Sequence, residues 1–439
     1  MSVKAWLGGV LLGCVAAQGA WALDVQRWVS PQGATVLLVE AHANPILDVR
    51  VDFDAGSRRD PQGKEGLAGM TAGLLDAGSP GWDEERLRKE QADIAAEIGT
   101  FADQESAGIR VRTLTRPALQ QRALALANRL LTAPLFPQKV LDRERASAIE
   151  GLEQALNNGG SVAARALGRQ MYGHHPYGND DWQDASSLRR ISREDLLAFW
   201  RARYQAQGAV VAIVGDIDKA GAQRVVDSLL QGLPKGGAAA WRDVPVVPES
   251  AGRIEHIAHP GAQTHIALGA SILRREDPDY YALVVGNYVL GGGGFDSRLM
   301  EEVRAKRGLT YGVSSHFIPL EQAGPFALSL STRNDQAASA LKVVRQTLAN
   351  FVEQGPTEAE LKQAKDNILG GFPLRYDSNA KLLSYLSVMG IYSLPDTYLD
   401  DYQKAVAELT VVQVRDAWRR RIHPDKLALV TAGATPAAP

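Results

Sequence analysis

Histidine is the residue type in this sequence best suited to hold a metal ion, and its spacing argues against such a site. Three histidines lie close together in "RIEHIAHPGAQTHIALG": His256, His259 and His265. Pro260 and Gly261 interrupt any helix there, so these imidazoles cannot share one helical face at i and i+4. His174 and His175 lie in "YGHHPYG", where proline and glycine indicate a turn. Neither segment predicts a metal site.

Nucleophilic catalysis has equally little support. Cys14 is the only cysteine, and we expect it to be removed with an N-terminal signal, which excludes a catalytic thiolate, a disulfide and a cysteine-ligated metal. The sequence has no G-x-S-x-G nucleophile motif, and no pair of carboxylates stands out from the other acidic residues. A hydrolase that acts alone through one of these groups is therefore disfavoured.

The stretch "KEGLAGMTAGLLDAGS", residues 64–79, predicts a helix with one apolar face and one face without chemistry. Leucine and methionine recur at the spacing of a buried face: Leu67, Met70, Leu74 and Leu75. The neighbouring face has only small residues: Gly66, Gly69, Ala72 and Gly73. Glycine inside a helix costs about 1 kcal/mol relative to alanine, so these glycines require an explanation.

A second candidate segment, "DSRLMEEVRAKRGLTYGVSSHF", contains an arginine and a tyrosine seven residues apart, Arg304 and Tyr311. We predict a helix from about Ser297 to Arg307 that ends at Gly308 and leads into a strand. From the residues alone, Arg304 could instead complement the negative end of the helix, and Tyr311 could be a half-buried strand aromatic. The preceding run of four glycines lacks the G-K-[ST] of a phosphate loop and predicts a turn.

The composition is that of a multidomain globular protein with an export signal. The chain has 439 residues, of which 45% are hydrophobic and 22% are charged, so we expect two or more domains. Residues 1–22 have a basic start, a short apolar run and an A-x-A cleavage pattern. This pattern predicts a signal peptide and a mature chain that begins near Leu23. Lipidation at Cys14 is a weaker alternative.

The mature chain is predicted to act in the periplasm, without nucleic acid and without a membrane span. A cysteine-free exported chain suits an oxidising compartment. The apolar run near the N-terminus is too short to remain as a membrane anchor. The formal net charge of the whole chain is −2, and the sequence has no basic patch or long charge run, so nucleic acid is not an expected partner.

The sequence contains a duplicated unit. In both halves a helix with a tryptophan precedes an apolar strand that ends in glycine, and these tryptophans, Trp200 and Trp418, are 218 residues apart. Residues 233–252 are rich in Gly, Ala and Pro and predict a linker between an N-terminal domain, 23–232, and a C-terminal domain, 253–436. Period-2 strands beside long helices favour an α+β fold. We expect two homologous domains, each a mostly antiparallel sheet with helices packed on one face, arranged as a clamshell.

Over about residues 25–435 the chain resembles the pitrilysin/insulinase family of zinc peptidases. The glycine-rich helix, "LDRERASAIEGLEQ", "YGHHPYG" and the arginine–tyrosine segment follow the family order. Active members carry H-x-x-E-H on the first-half helix, in which the histidines bind zinc and the glutamate is the general base. The resemblance places these positions at Gly69, Ala72 and Gly73, none of which has a donor atom. A further family ligand falls at Glu150, which cannot form a zinc site alone, so no metal is assigned to this chain.

The resemblance also implies a role for the second-half pair. In active relatives an arginine binds the substrate backbone across the cleft from the zinc, and a tyrosine stabilises the oxyanion; Arg304 and Tyr311 match this pair. We therefore expect the non-catalytic subunit of a heterodimeric peptidase, with zinc on a homologous partner that carries H-x-x-E-H and with peptides as substrates. The alternative is a catalytically silent scaffold or peptide-binding protein of the same fold. A homodimer is an alternative assembly when the partner is absent.

Overall fold

The computed structural model describes residues 23–234, 236, 241–249 and 252–434. The predicted signal peptide and Cys14 lie outside these residues. Within them the chain forms two α+β halves, each with one principal sheet. The predicted fold class, two homologous domains of mixed helices and sheet, is confirmed.

In the described residues the first half folds around a six-stranded sheet. Its strands, with a small β4–β5 hairpin beside the sheet, are β1 (Gln26–Val29), β2 (Thr35–Glu40), β3 (Ile46–Phe53), β4 (Gly78–Ser79), β5 (Trp82–Asp83), β6 (Glu97–Ala102), β7 (Ala107–Leu114) and β8 (Val210–Gly215). Its helices are α1 (Leu67–Gly73), α2 (Glu84–Asp93), α3 (Pro117–Thr132), α4 (Gln138–Leu156), α5 (Gly159–Tyr172), α6 (Asn179–Trp182), α7 (Ala185–Arg190), α8 (Arg193–Arg203) and α9 (Lys219–Leu230). The strand order is β1-β2-β8-β3-β7-β6, with β2 and β8 parallel and the other pairs antiparallel.

The second half repeats this plan around a five-stranded sheet, again counted within the described residues. Its strands are β9 (Ile254–Ala258), β10 (Gln263–Leu273), β11 (Val313–Phe317), β12 (Gly324–Arg333) and β13 (Ala428–Gly433). Its helices are α10 (Tyr280–Asn287), α11 (Ala337–Gln354), α12 (Glu358–Gly370), α13 (Asn379–Ile391), α14 (Tyr398–Glu408) and α15 (Val411–Arg421), with π-helical segments at Tyr288–Gly292 and Met300–Ala305. The order is β11-β12-β10-β13-β9, and β13 pairs parallel with β9.

Strand β2 is apolar at successive positions because both faces of the first sheet are covered. Val36 and Leu38 pack in the core formed with helices of the same half. Leu37 and Val39 belong instead to a core that is continuous with the second half. The two halves therefore share buried apolar surface.

One helix of each half packs on the sheet of the other half. Helix α13 packs against β8, β3 and β2, and α5 packs against β10 and β13. Gly390 permits the close approach of α13, since a Cβ there would lie 2.3 Å from Val210 Cγ1. Helices α5 and α13 begin 220 residues apart, so the exchange follows the sequence repeat. Each sheet therefore lies between the helices of its own half on one face and one helix of the other half on the opposite face.

The predicted linker packs against both halves where the structure describes it. Trp241 Nε1 donates a hydrogen bond to the backbone oxygen of Gly208 at 2.8 Å, and Arg58 Nη2 donates to the backbone oxygen of Trp241 at 3.0 Å. Arg242 forms an ion pair with Glu276 of the second half at 3.1 Å. These contacts fix the path of the connection between the halves.

A buried cluster of polar side chains also joins the halves, centred on Glu105, which is 4% exposed. Glu105 Oε1 accepts hydrogen bonds from Arg58 Nη1 at 2.9 Å and from the Tyr177 hydroxyl at 2.5 Å. Glu105 Oε2 accepts one from the hydroxyl of Tyr392 in the second half. Burial, together with the Glu105 carboxylate, raises the pKa of both tyrosines, so their hydroxyls remain donors. We call Arg58, Glu105, Tyr177 and Tyr392 the Glu105 cluster.

Candidate functional site

Helix α1 is held at its start by a buried carboxylate. Asp60 accepts hydrogen bonds from the backbone nitrogens of Gly66 and Ala68, both at 2.7 Å. Gly66, the N-cap, has φ +103°, a left-handed conformation that favours glycine. The apolar face predicted from the sequence is buried: Leu67, Met70, Leu74 and Leu75.

The two glycines of α1 face open space, whereas Ala72 does not. A Cβ built on Gly69 or Gly73 would meet no other heavy atom within 4 Å, while Ala72 is 2% exposed and packs in the first-half core. The space is a cavity of about 410 Å³. Its lining includes Gly69 and Gly73 of α1, Ala102 and Asp103 at the end of β6, Ser147 of α4, and Asp180. We call it the α1 cavity.

The residues that the resemblance places at the family's zinc positions do not fit a zinc ion. Gly69, Ala72 and Gly73 have no side-chain donor atom, and zinc requires nitrogen, oxygen or sulfur ligands. Within the ranges that the structure describes, no group of three or more His, Cys, Asp or Glu is placed to hold a metal. We therefore derive no metal chemistry from this chain.

Glu150, the position implied for a further ligand, lies on the solvent-exposed side of α4. It accepts a hydrogen bond from Gln154 Nε2 at 3.3 Å, one turn along the same helix. The residues of α4 that line the α1 cavity are Glu144, Ser147 and Ala148. The α4 carboxylate in the lining of the α1 cavity is therefore Glu144, which spacing along the sequence did not indicate.

The histidines considered from the sequence have structural contacts. His174 stacks on the Trp182 ring with 5.1 Å between the ring centroids and an interplanar angle of 18°. His256 Nδ1 lies 2.9 Å from Thr431 Oγ1, a contact between neighbouring strands. These contacts hold both imidazoles in the fold and do not bring them to the α1 cavity.

In the second half, Arg304 lies on the π-helical segment Met300–Ala305. The neighbouring cations Lys306 and Arg307 pair with Glu302, but Arg304 contacts no carboxylate in the described part of the chain. Its guanidinium lies instead over the ring of Phe295, with 4.8 Å from Cζ to the ring centroid. Such a contact orients the guanidinium and leaves its N–H donors available.

Tyr311 follows this helix and precedes β11, and it is 86% exposed. The helix ends as predicted: Gly308 has φ +62°, and its backbone nitrogen donates to the Arg304 carbonyl at 2.8 Å. The alternative interpretation of Tyr311 as a half-buried strand aromatic does not agree with this exposure. Its hydroxyl is available to a molecule outside the chain.

Phe295 is the residue of this site that sequence reasoning missed. It is 75% exposed, and it follows Gly294, which has φ +66°. The preceding glycines are needed for packing, since a Cβ on Gly291 would lie 2.4 Å from Ser315 Oγ. The sequence signal for Phe295 was its position directly after a run of glycines and nine residues before Arg304. Phe295 and Arg304 are in contact, and we call these two residues, together with the exposed Tyr311 that follows the same helix, the Arg304 surface.

The lining of the α1 cavity contains no residue of the Arg304 surface. The cavity lining comes from residues 57–183, all in the first half, whereas Arg304 and Tyr311 lie in the second half. If the Arg304 surface and the α1 cavity both take part in binding, they bind different regions of a partner or ligand.

Three aspartates at or next to the α1 cavity have raised pKa values: Asp180 lines the cavity, Asp181 follows it in the chain, and Asp60 binds the start of α1. Burial raises the pKa of Asp60 to about 7, although two backbone N–H groups oppose this effect. Burial, with the adjacent Asp180, also raises the pKa of Asp181 to about 7, against the opposing charges of Arg165 and Arg169. Burial likewise raises the pKa of Asp180. These carboxyl groups make the stability of this region dependent on pH near neutrality.

Replacement of Asp181 by asparagine should stabilise the protein more at pH 8 than at pH 5. An unfolded aspartate has a pKa of about 3.9, so between about pH 4 and pH 7 the folded state binds the extra proton and stability falls as the pH rises. Because asparagine has no ionisable side chain, the variant does not lose this stability as the pH rises. Thermal unfolding of the variant and the native protein at both pH values measures the effect, with exposed Asp425→Asn as a control. An equal difference in melting temperature at both pH values would contradict the assignment.

Comparison with known proteins identifies the family. Residues 35–182 match the insulinase family, peptidase family M16, and residues 190–368 match the peptidase M16 inactive domain. A crystal structure of a peptidase M16 inactive domain from Pseudomonas fluorescens is 37% identical in sequence to this chain and superposes on it with a TM-score of 0.90. The superposition includes 94% of this chain and 99% of the Pseudomonas chain. This chain belongs to peptidase family M16, and the predicted resemblance is confirmed.

Relatives in this family have names that differ in the activity they assign. A Helicobacter pylori protein named non-peptidase homolog YmxG is 24% identical over 420 residues, which are 94% of this chain and 95% of the relative. An uncharacterized zinc protease of Streptomyces coelicolor is 28% identical over 294 residues, 65% of this chain and 63% of that protein's length. The matches to an M16 inactive domain and to a non-peptidase homolog are those of an inactive member of the family. Among the helices described, none combines the length and apolar character needed to cross a bilayer.

Proposed function

We propose that this protein is the non-catalytic, substrate-binding subunit of a heterodimeric zinc metalloendopeptidase that degrades peptides or unfolded polypeptides. In this proposal the zinc belongs to a homologous partner chain that carries H-x-x-E-H. The observation that carries the proposal is the contrast between the two halves. Gly69, Ala72 and Gly73 offer no metal ligand, while Tyr311 is exposed and Arg304, which is partly buried, pairs with no carboxylate in the described residues.

The Arg304 surface has the chemistry that such a subunit requires. The Arg304 guanidinium, oriented by Phe295 and without a carboxylate partner in the described residues, can donate hydrogen bonds to peptide carbonyls. The exposed Tyr311 hydroxyl can donate to the oxyanion that develops during peptide hydrolysis. Because Gly69, Ala72 and Gly73 offer no metal ligand, the reacting centre that this surface faces would come from another chain.

The proposed location is the periplasm. It rests on the signal-like residues 1–22 and on the absence of cysteine from the remaining sequence. A partner subunit would carry its own export signal. Sequencing the N-terminus of the protein from a periplasmic extract tests this part of the proposal, and a mature protein beginning near Leu23 is expected.

The test of the proposal measures zinc content and hydrolysis of an unstructured peptide by the purified chain, alone and mixed with a family M16 relative that carries H-x-x-E-H from the same organism. We expect no stoichiometric zinc and no turnover for the chain alone, and turnover when both chains are present. Zinc and turnover in the chain alone would overturn the proposal. No turnover in either sample would favour the alternative, a silent scaffold or peptide-binding protein.

A further inference from the structure

Two histidines of the second half pack against the first turn of α5, the helix that the first half supplies to the second sheet. His265 lies on β10, and His259 lies between β9 and β10. A Cβ built on Gly159 would lie 2.6 Å from His265 Cδ2 and 3.3 Å from His259 Nδ1, and a Cβ on Gly160 would lie 3.2 Å from His265 Nδ1. The two glycines that begin α5 therefore leave room for both imidazoles, which we call the histidine pair.

The helix ends beside the histidine pair treat its two members differently. The first turn of a helix carries a partial positive charge, which disfavours a cation beside it, and the last turn carries a partial negative charge. His265 meets the first turn of α5. His259 Nε2 lies 3.4 Å from the carbonyl oxygen of Leu156, the last residue of α4. A proton is therefore better accommodated on His259 than on His265, and a charged His259 opposes a charge on His265.

The strands around His265 supply no negative charge to compensate a proton on its ring. Its register partners, Ser331 of β12 and Ala432 of β13, are uncharged. Arg333, two residues along β12 from Ser331, is a cation that pairs with Asp335. Within the residues that the structure describes, the only histidine in an ion pair is His42.

The remaining carboxylates near this contact are engaged or face solvent. Glu255 lies on β9, two residues before the register partner of Ala432, and it accepts a hydrogen bond from Gln170 of α5 at 2.8 Å. Glu153 of α4 is exposed. The N-cap of α5, Asn158, is uncharged, and its side chain accepts a hydrogen bond from the Ser161 backbone nitrogen at 3.1 Å. Protonation of His265 thus places an uncompensated charge between two packed elements.

Burial lowers the pKa of His265, and the neighbouring His259 lowers it further. An unfolded histidine has a pKa of about 6.5. Because the unfolded chain binds this proton more readily than the folded chain, the contribution of His265 to stability is present above about pH 6.5 and is lost as the pH falls. The direction is opposite to that of Asp181, whose contribution is lost as the pH rises.

We propose that the histidine pair is a pH-sensitive contact between the two halves of the chain. At neutral pH the uncharged His265 packs against Gly159 and Gly160 and holds the start of α5 on the second sheet. At acidic pH the charged imidazoles repel each other and the end of α5, so the first turn of this helix separates from β10. The contact needs no partner chain, metal or substrate, so it goes beyond the proposed function and does not depend on it.

Hydrogen–deuterium exchange of the full mature chain tests this proposal. Exchange of the amides in residues 158–167 is measured at pH 7.5 and pH 5.5 and corrected for the intrinsic effect of pH on exchange. We expect the corrected rates to be about fivefold higher at pH 5.5, the size of the effect of a charge at a helix end. The first turn of α13, which packs on the other sheet and contains no histidine, is the internal reference and should not change in this direction. No selective increase at the start of α5 in the native chain overturns the proposal.

Three variants assign the increase to the histidine pair. His265→Gln, which cannot be protonated, should abolish the increase, and His259→Gln should reduce it. His423→Gln is the matched control, because His423 is exposed and lies after α15; the increase should persist in this variant. An increase in His265→Gln equal to that of the native chain overturns the proposal. The melting temperature at pH 7.5 shows whether each variant folds, and the smaller His265→Ser replaces His265→Gln if glutamine does not fit beside Gly159.

Discussion

Replacement of Arg304 by alanine is expected to lower the peptidase activity of the assembled pair by about 100-fold. In the proposed complex Arg304 and Tyr311 act on the substrate as it reacts, and one preorganised donor of this kind is worth about 2.7–4 kcal/mol of transition-state stabilisation. Tyr311→Phe, which removes only the hydroxyl, should cause a loss of similar size. The expected change is mainly in kcat, measured on an unstructured peptide with both chains present.

Arg307→Ala is the matched control for this experiment. Arg307 lies three residues from Arg304, but it pairs with Glu302 at 2.6 Å and does not belong to the Arg304 surface. We expect its replacement to leave turnover unchanged. Size-exclusion chromatography of each mixture shows whether the pair still assembles. Full activity of both Arg304→Ala and Tyr311→Phe in an intact assembly would rule out the proposed role of this surface.

Removal of the Glu105 carboxylate should have the largest effect on stability. Glu105→Ala would leave the buried Arg58 with one partner fewer and would deprive Tyr177 and Tyr392 of their shared acceptor. Loss of one member of a buried ion pair costs about 3–5 kcal/mol. We expect a decrease of this size in the free energy of unfolding, measured with urea.

Glu353→Ala provides the comparison on the surface. Glu353 pairs with Arg419 at 2.8 Å, but its side chain is 74% exposed, and ion pairs of this kind contribute about 0–1 kcal/mol. If Glu105→Ala and Glu353→Ala destabilise the protein equally, the Glu105 cluster does not bind the halves together as described. The decrease in the free energy of unfolding for Tyr392→Phe should lie between those of the two alanine variants, because this substitution removes a single hydrogen bond.

Local features of this protein could be predicted from its sequence because short-range rules determine them. The apolar face of α1 follows from the i, i+3, i+7 spacing of Leu67, Met70 and Leu74. The end of the second-half helix follows from Gly308, which adopts the left-handed conformation that glycine favours. The family resemblance places the zinc positions at Gly69, Ala72 and Gly73 from their order along the chain, and this placement stays a prediction.

Features that depend on distant contacts could not be predicted in this way. Glu105 lies in a polar stretch, "ADQES", that resembles an exposed turn, and its burial depends on Tyr392, 287 residues away. The contact between Phe295 and Arg304 depends on an irregular turn and a π-helical segment that periodicity does not indicate. Local sequence patterns likewise do not predict that each sheet is covered by a helix from the other half.

The exchange of α5 and α13 relates the two-domain chain to a simpler assembly. Each half alone would expose the sheet face that the other half's helix covers, including Leu37 and Val210 in the first half. Two copies of one such half could cover these faces by giving each other one helix, as in a domain-swapped dimer. This chain has that arrangement within one polypeptide, so the core of each half is completed only when the other half is folded.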